Sequence, residues 1–324
     1  MHVLGIDGGG TKTIAVLMDD RRRILGCGEA GSANYQTVGL EAAYFAIETA
    51  ISKAVMSFPD VEINGIGLGL AGAGRAEDRA AIASLIDRLQ SRSILAMRWS
   101  LVPSGIAILP DCEIALAGGL EKEVGIAIIA GTGSIVWGCN AAGDTYRVGG
   151  WGYLLGDEGS GYDIARKALQ AVMRSRDGRA PKTVLADLVC QQLQLQNLDE
   201  LIPLVYRGGW GTKDMASLSF LVDRAAREND GVAIDILTVA ARELHLATTT
   251  TIAALFSPQE AIEIATVGGV WRSHILRDRY CELMGHSHPR ANAIVPRQDP
   301  AWGAAYLALQ AIARERRERD SNPR

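Results

Sequence analysis

Hydrophobic and polar positions in the first thirty residues fall into three short runs. "HVLGID" and "KTIAVLMD" carry the aliphatic residues of buried strands, and "RILGCGE" follows the polar turn "DRR". "GGGT" divides the first two runs, so residues 2–29 predict strand, glycine turn, strand, tight turn, strand. The period then changes: "GLEAAYFAIETAISKAV" spaces its apolar residues three and four apart and predicts an amphipathic helix. "INGIGLGLAG" reads as a strand and "RAEDRAAIASLIDRLQ" as a helix. A short strand then leads into the helix-like "LPDCEIALAGGLE".

The same order begins again at residue 125 with "GIAIIA", "GTGS", "IVWGCN", "AAGDT" and "YRVGG". Laid over the first copy, it pairs Gly8 with Gly131, Gly10 with Gly133 and Thr11 with Ser134. The turn at Asp19 and Asp20 then matches Ala142 and Gly143, and Asp7 falls opposite Ala130. A helix, "GYDIARKALQAVMR", follows; further helices fill 182–255, and "AIEIATVGG" with "WRSHILRDRYCELM" predicts a last strand and helix. Two copies of one supersecondary unit imply two related α/β domains, 1–115 and 116–324, each a mixed sheet flanked by helices, with the ligand expected between them.

Composition agrees with this picture. A chain of 324 residues fits about two domains, and a 48% hydrophobic content with dispersed charge describes a globular protein. A formal net charge of -4 leaves no basic face for a phosphate backbone, so no nucleic-acid partner is expected. The basic tail "RERRERD" interleaves acids with arginines and reads as a solvated helix end. No signal peptide precedes the first strand and no apolar run reaches a membrane span of about 18 residues, so the expectation is a cytoplasmic protein without a membrane partner. Cys27, Cys112, Cys139, Cys190 and Cys281 are widely spaced without a CxxC pair, which is neither a disulfide framework nor a zinc pattern.

The chemistry is concentrated in the glycine turns. A turn without side chains brings backbone N–H groups close to phosphate oxygens, and two such turns could clamp one polyphosphate. An acid in such a cradle repels the anion unless a cation stands between them, so Asp7 reads as a Mg²⁺ partner or as a cap on its own turn. "GLGLAG", residues 67–72, matches the dinucleotide fingerprint GxGxxG, but a hairpin with its own glycine turn precedes it where a dinucleotide unit normally opens its domain.

These motifs in this order resemble the sugar-kinase, Hsp70 and actin ATPase superfamily, and within it the BadF/BadG/BcrA-type ATPase family that includes N-acetylglucosamine and glucosamine kinases. "GIDGGGTKT" is similar to the family's first phosphate motif, "IAGTGS" to its second, "VGGVW" to its adenosine motif, and "GGWGYLLGDEGSGYDIA" to the signature after the second hairpin. "LGLAGAG" is similar to its first connecting segment. The resemblance implies two ribonuclease H-like (actin-like ATPase) domains with an interdomain active-site cleft. It implies ATP-dependent transfer of the γ-phosphate to the 6-hydroxyl of N-acetylglucosamine or a related hexosamine, with Mg²⁺. By the same resemblance Gly9, Gly10, Thr11, Gly131, Thr132 and Gly133 hold the phosphates, Gly268 and Gly269 the adenosine, and Asp7 the metal. Asp111 corresponds to the catalytic base, although Pro110 stands before it where relatives commonly carry Asn or Asp; it also reads as a helix N-cap. Asn34, Asp157, Thr132 and Gly150 join Asp111 in contacting the sugar. Asn34 also reads as a turn residue, and Asp157 and Glu158 as acids favoured at a helix start.

The resemblance also implies a homodimer. It carries a second reading, an ATPase activator of a dehydratase or reductase with a subunit-bridging iron-sulfur cluster, which needs two thiolates per subunit. A third, a sugar-sensing regulator, would need a DNA-binding extension before the hairpin at residue 2.

Overall fold

The computed structural model describes residues 1–70, 76–92, 95 and 97–321, which divide into two compact units, 1–124 with 296–324 and 125–295. Unit 1 begins with β1 (His2–Gly8), β2 (Thr13–Asp19) and β3 (Ile24–Ala30), then the single turn α1 (Tyr35–Val38) and α2 (Leu40–Val55). It continues through β4 (Val61–Ile63), β5 (Gly65–Leu70), α3 (Ala76–Arg92), β6 (Met97–Trp99), β7 (Ile106–Pro110) and α4 (Asp111–Leu120). Unit 2 holds β8 (Gly125–Ala130), β9 (Ser134–Cys139), β10 (Thr145–Gly149) and α5 (Gly161–Arg176). Then come α6 (Leu185–Leu193), α7 (Leu201–Arg207), α8 (Thr212–Ser217), α9 (Ser219–Arg227), α10 (Gly231–Leu255), β11 (Ile262–Val267), α11 (His274–Ser287) and β12 (Ala291–Ile294). The chain returns to unit 1 as α12 (Pro300–Ser321).

The repeat read from the sequence is a repeat of topology. The sheets run β3-β2-β1-β5-β7 and β10-β9-β8-β11-β12, each an antiparallel meander followed by two strands added in parallel. Short β4 and β6 pair separately in unit 1.

In unit 1 the period-two alternation of the strands divides the core in two. Leu4, Ile6, Leu17, Ile66, Leu68 and Leu70 pack with Ile47 and Ile51 of α2 and Leu85 and Ile86 of α3, all fully or almost fully buried. Val3, Val16 and Met18 face the other way, onto Ile114 of α4 and Ala301, Trp302 and Ala305 of α12. β5 takes the alternation to its limit, its aliphatic residues on the first face and Gly65, Gly67 and Gly69 on the second. A Cβ at Gly67 would lie 2.0 Å from the Ala304 carbonyl oxygen, and one at Gly69 would lie 2.1 Å from Ile114 Cδ1. The first glycines of the GxGxxG match therefore lie inside a strand and let two helices approach it, which is not the turn a dinucleotide needs. Residues 71 and 72 of that match lie outside the described residues.

The boundary read at residues 115/116 counts the C-terminal helix with the second half, whereas α12 completes the core of unit 1. Its Trp302 Nε1 donates to the Arg22 carbonyl, and Arg297 and Gln298 just before it donate their backbone N–H groups to the carbonyls of Gly119 and Gly118. Alanines of α12 meet strand glycines, Ala301 and Ala305 at Gly5 and Ala304 at Gly67, which favours this close docking; they carry too weak a periodic signal to assign from sequence.

Unit 2 packs its helices around one cluster, with Ile126, Ile128 and Ile264 of the sheet against Ile164 of α5, Leu221 of α9 and Leu237, Ala241 and Leu244 of α10. Helices expected across 182–255 appear there as five separate elements. Among the described residues no helix is long and apolar enough to cross a membrane.

Candidate active site

Asp7 lies next to the C-terminal end of β1 on the side of Val3 and Gly5, the side covered by α4 and α12. Both helices begin with an acid near this strand end: Asp111 is the first residue of α4, and Asp299 immediately precedes α12. Burial, then the charge of Asp111, then that of Asp299, push the Asp7 carboxyl up to about 7, with only Lys12 opposing them. The turn after β1 is closed by its own backbone, Gly9 N–H to the Lys12 carbonyl at 3.0 Å, and not by the Asp7 carboxylate.

Asp111 is half-buried and burial raises its pKa, against the opposing bond from the Cys112 N–H at 2.9 Å. The N-cap position itself belongs to Pro110, in extended backbone, so Asp111 sits one residue inside the helix and makes no conventional cap. A carboxylate whose charged form is disfavoured by burial is a stronger base than a solvated one. Among the described residues no three His, Cys, Asp or Glu side chains converge into a metal cage. Asp7 therefore suits a cation held chiefly by phosphate oxygens and water, as Mg²⁺ commonly is, and its repulsion from Asp111 and Asp299 is what such a cation would relieve.

The loop after β3 is tied to the first glycine turn. Thr13 Oγ1 donates to the Gly31 carbonyl at 2.7 Å, and Ser32 Oγ donates to the Gly9 carbonyl at 3.1 Å. Asn34 then caps α1 by accepting the Gln36 N–H, while its Nδ2 stands 4.0 Å from where a Cβ on Gly10 would be. Capping and proximity to the turn thus coexist at Asn34. Gly10 and Thr11 are exposed at the turn.

The second glycine turn is anchored more heavily. Gly131 N–H closes on the Gly133 carbonyl, Gly161 N–H donates to the Gly131 carbonyl, and Tyr162 N–H donates to the Thr132 carbonyl. Ser134 Oγ donates to the Glu158 carbonyl and the Ser134 carbonyl accepts from Gly150 N–H. The Asp157 carboxylate lies against Gly133, where a Cβ would meet its Oδ2 at 2.7 Å. Its backbone is left-handed, with φ 59°. Burial raises the Asp157 pKa, opposed by the N–H groups of Ser134 and Gly152 and reinforced by Glu158. Gly131, Thr132, Gly133, Gly150 and Asp157 are thus gathered at one end of the sheet of unit 2. Gly268 joins them: with φ 109° it follows β11, and a Cβ there would lie 2.3 Å from the Ala130 carbonyl oxygen. Gly269 has open space around it and starts a short 3-10 turn ahead of α11.

The register of the repeat differs from the sequence alignment. Gly9 and Gly131 make the equivalent closing donations, and Gly8–Thr13 and Ala130–Ser134 are the equivalent last strand pairs. Gly8 therefore matches Ala130, Asp7 matches Ile129, and Thr13 matches Ser134. The first turn is one residue longer, which alignment by glycines alone conceals. Past the turn the match is close: Asp19 accepts the N–H groups of Arg21 and Arg23, and Asn140 accepts those of Ala142 and Asp144. Arg22 and Gly143 are both left-handed. Sequence reading missed Asp299, whose one signal is an Asp-Pro pair ahead of a helical run, and the anchoring hydroxyls of Thr13 and Ser134.

The family model of the BadF/BadG/BcrA/BcrD ATPase family matches residues 4–308. The chain belongs to this family. This BadF-type chain is 36% identical over 310 residues to the N-acetylmuramic acid/N-acetylglucosamine kinase of Clostridium acetobutylicum, covering 95% of this chain and 98% of that one. It is 32% identical over 323 residues to the N-acetyl-D-glucosamine kinase of Dictyostelium discoideum, again covering 95% and 98%. Among solved structures, a candidate N-acetylglucosamine kinase from Chromobacterium violaceum matches with a TM-score of 0.74 at 26% identity over 95% of this chain and 98% of that one. The ROK family glucokinase of Streptomyces griseus, solved with glucose and AMPPNP, shares the fold with a TM-score of 0.58 at 18% identity, covering 97% and 100%. The BadF-type fold of this chain is thus that of actin-like sugar kinases.

Proposed function

We propose that this protein is an ATP-dependent amino-sugar kinase that transfers the γ-phosphate to the 6-hydroxyl of N-acetylglucosamine or a related hexosamine. What supports the reading is the electrostatic proximity of Asp111 to Asp7, which we read as base and metal partner, in a chain whose relatives, matched over 95% of its length, are named N-acetylglucosamine kinases. Asp111 orients the sugar hydroxyl and takes its proton as the new O–P bond forms and the bond from the γ-phosphorus to the bridging oxygen of the leaving ADP breaks. Asp7 is the carboxylate toward Mg²⁺, which when bound to ATP neutralises phosphate charge in the transfer. Gly9, Gly10 and Thr11 in one turn and Gly131, Thr132 and Gly133 in the other hold phosphate oxygens, and Gly268 and Gly269 the adenosine. Asn34, Asp157, Thr132 and Gly150 bind the sugar. We propose that the enzyme acts in the cytoplasm and, as the resemblance implies, as a homodimer.

The test is ATP consumption by the pure protein with Mg²⁺ and a panel of glucosamine, N-acetylglucosamine, N-acetylmuramic acid, glucose and N-acetylmannosamine, with product mass and iron content measured alongside. Sugar-dependent ADP and a phosphorylated sugar, both lost in Asp111→Ala, are expected. ADP formed at one rate with or without sugar, by protein that carries iron, would replace the kinase by an ATPase activator.

A further inference from the structure

α5 begins with a charge cluster that the chemistry above does not use. Ser160 caps the helix by accepting the Asp163 N–H at 3.1 Å, and Asp163 reaches back so that its Oδ2 accepts the Gly159 N–H at 3.0 Å. Asp163 is 5% exposed, yet it is charged and paired twice, with Lys167 at 2.6 Å and Arg166 at 2.9 Å. Burial works to raise its pKa, and the bonds from Lys167, Gly159 and Arg166 outweigh burial and hold it below the usual carboxylate range. A buried, doubly paired carboxylate is an expensive way to start a helix that Ser160 already caps.

What it fixes is the segment carrying Asp157. Asp157 and Gly159 both have left-handed backbones, and a Cβ on Gly159 would lie 2.9 Å from the Ala240 carbonyl oxygen of α10. The Ser160 N–H donates to the Asp157 carbonyl, and the Glu158 carbonyl accepts from Ser134 Oγ. A second backbone donor of the turn, Gly159 N–H, is taken by Asp163. We infer that Asp163, held by Lys167 and Arg166, is a positioning residue that fixes the 157–160 turn and so aims the Asp157 carboxylate for sugar binding. The inference rests on the amino-sugar kinase reading, in which Asp157 contacts the sugar.

Asp163→Ala, Asp163→Asn and Lys167→Met are compared with wild type for the KM of sugar and of ATP, melting temperature, and amide hydrogen exchange over residues 150–160. Removing a hydrogen bond to a charged group predicts a rise of about tenfold in sugar KM for Asp163→Ala with ATP KM unchanged, and faster exchange confined to that segment. Asp163→Asn keeps an acceptor for Gly159 and recovers most of the sugar KM. A purely structural role would instead lower the melting temperature and move both KM values together, which overturns the inference, as does an unchanged sugar KM. If Asp163→Ala does not fold, Lys167→Met carries the test, with about a threefold rise expected. A wild-type protein that phosphorylates no sugar defeats the kinase reading instead; exchange then decides separately whether Asp163 holds the turn, and unchanged exchange in Asp163→Ala overturns that too.

Discussion

In the first glycine turn Gly9 N–H closes on the Lys12 carbonyl, and in the second Gly131 N–H closes on the Gly133 carbonyl, each with a hydroxyl at the next strand position tying down a distant loop. Behind the first turn stand three carboxylates, Asp7, Asp111 and Asp299; burial first, and then the charges of Asp111 and Asp299, raise Asp7. Behind the second is Ile129 in place of Asp7, with Asp157, which burial and Glu158 raise while the N–H groups of Ser134 and Gly152 oppose them. Duplicating a backbone scheme therefore did not duplicate its chemistry. The cluster of three acids suits a metal-bearing reactive end, and the acid held by two backbone N–H groups suits ligand binding.

The comparison would break most visibly at Asp111. Asp111→Ala is expected to lower kcat by about 10²–10⁴-fold at saturating sugar, whereas Asp157→Ala chiefly raises sugar KM; equal effects in steady-state assays would erase the division of labour. Next in size is Gly268→Ala, which forces a Cβ against the Ala130 carbonyl from a left-handed backbone and should cost about 3 kcal/mol in denaturant unfolding. Gly269→Ala, in open space, should cost much less, and equal losses would show that close packing at the second turn is not what Gly268 serves.

The charge contrast has its own test. Because the folded Asp7 pKa lies near 7, above its ordinary 3.8, the native state retains a proton the unfolded chain releases. Wild-type stability should therefore fall as pH rises from about 4 to about 7, through this one group. Asp7→Asn should remove that fall, leaving the ligand-free variant the more stable near pH 8 and equal near pH 4 in thermal melts. No second-turn variant at Ile129 should show such a window. The smallest effects belong to the shared hydroxyls: Thr13→Ala and Ser134→Ala should each cost about 1 kcal/mol, and similar values would confirm that the two anchors are equivalent.

Much of the fold was readable because the hairpin strands are short, dense aliphatic runs divided by glycine and polar turns. β1 and β8 end at the glycine turns, and β2 and β9 start just after them at the hydroxyl residues Thr13 and Ser134. The register between copies was not readable, since an extra residue in a glycine-rich turn leaves no mark in composition. α12 was legible as a helix end but not as part of unit 1, because alanine and glycine carry little polarity to orient a helix. At the site, Asp7 was legible as an acid beside a glycine turn, while Asp111 and Asp157 came from motif resemblance. Asp299 and Asp163 did not, because their meaning depends on which strand end or backbone amide lies beside them.

By itself the sequence determined two copies of a strand–glycine turn–strand unit, the helices that follow each, and the family to which the motifs belong. These are local matters: side-chain period, the backbone freedom of glycine and the absence of charge in strands set them within a few residues. The tertiary structure alone decided that α12 closes the N-terminal core, that the glycines of β5 make room for two helices, and that burial together with Asp111 and Asp299, distant in sequence, raises Asp7 at the end of β1. Close packing and electrostatic repulsion depend on distances across the fold, and no spacing along the chain encodes them.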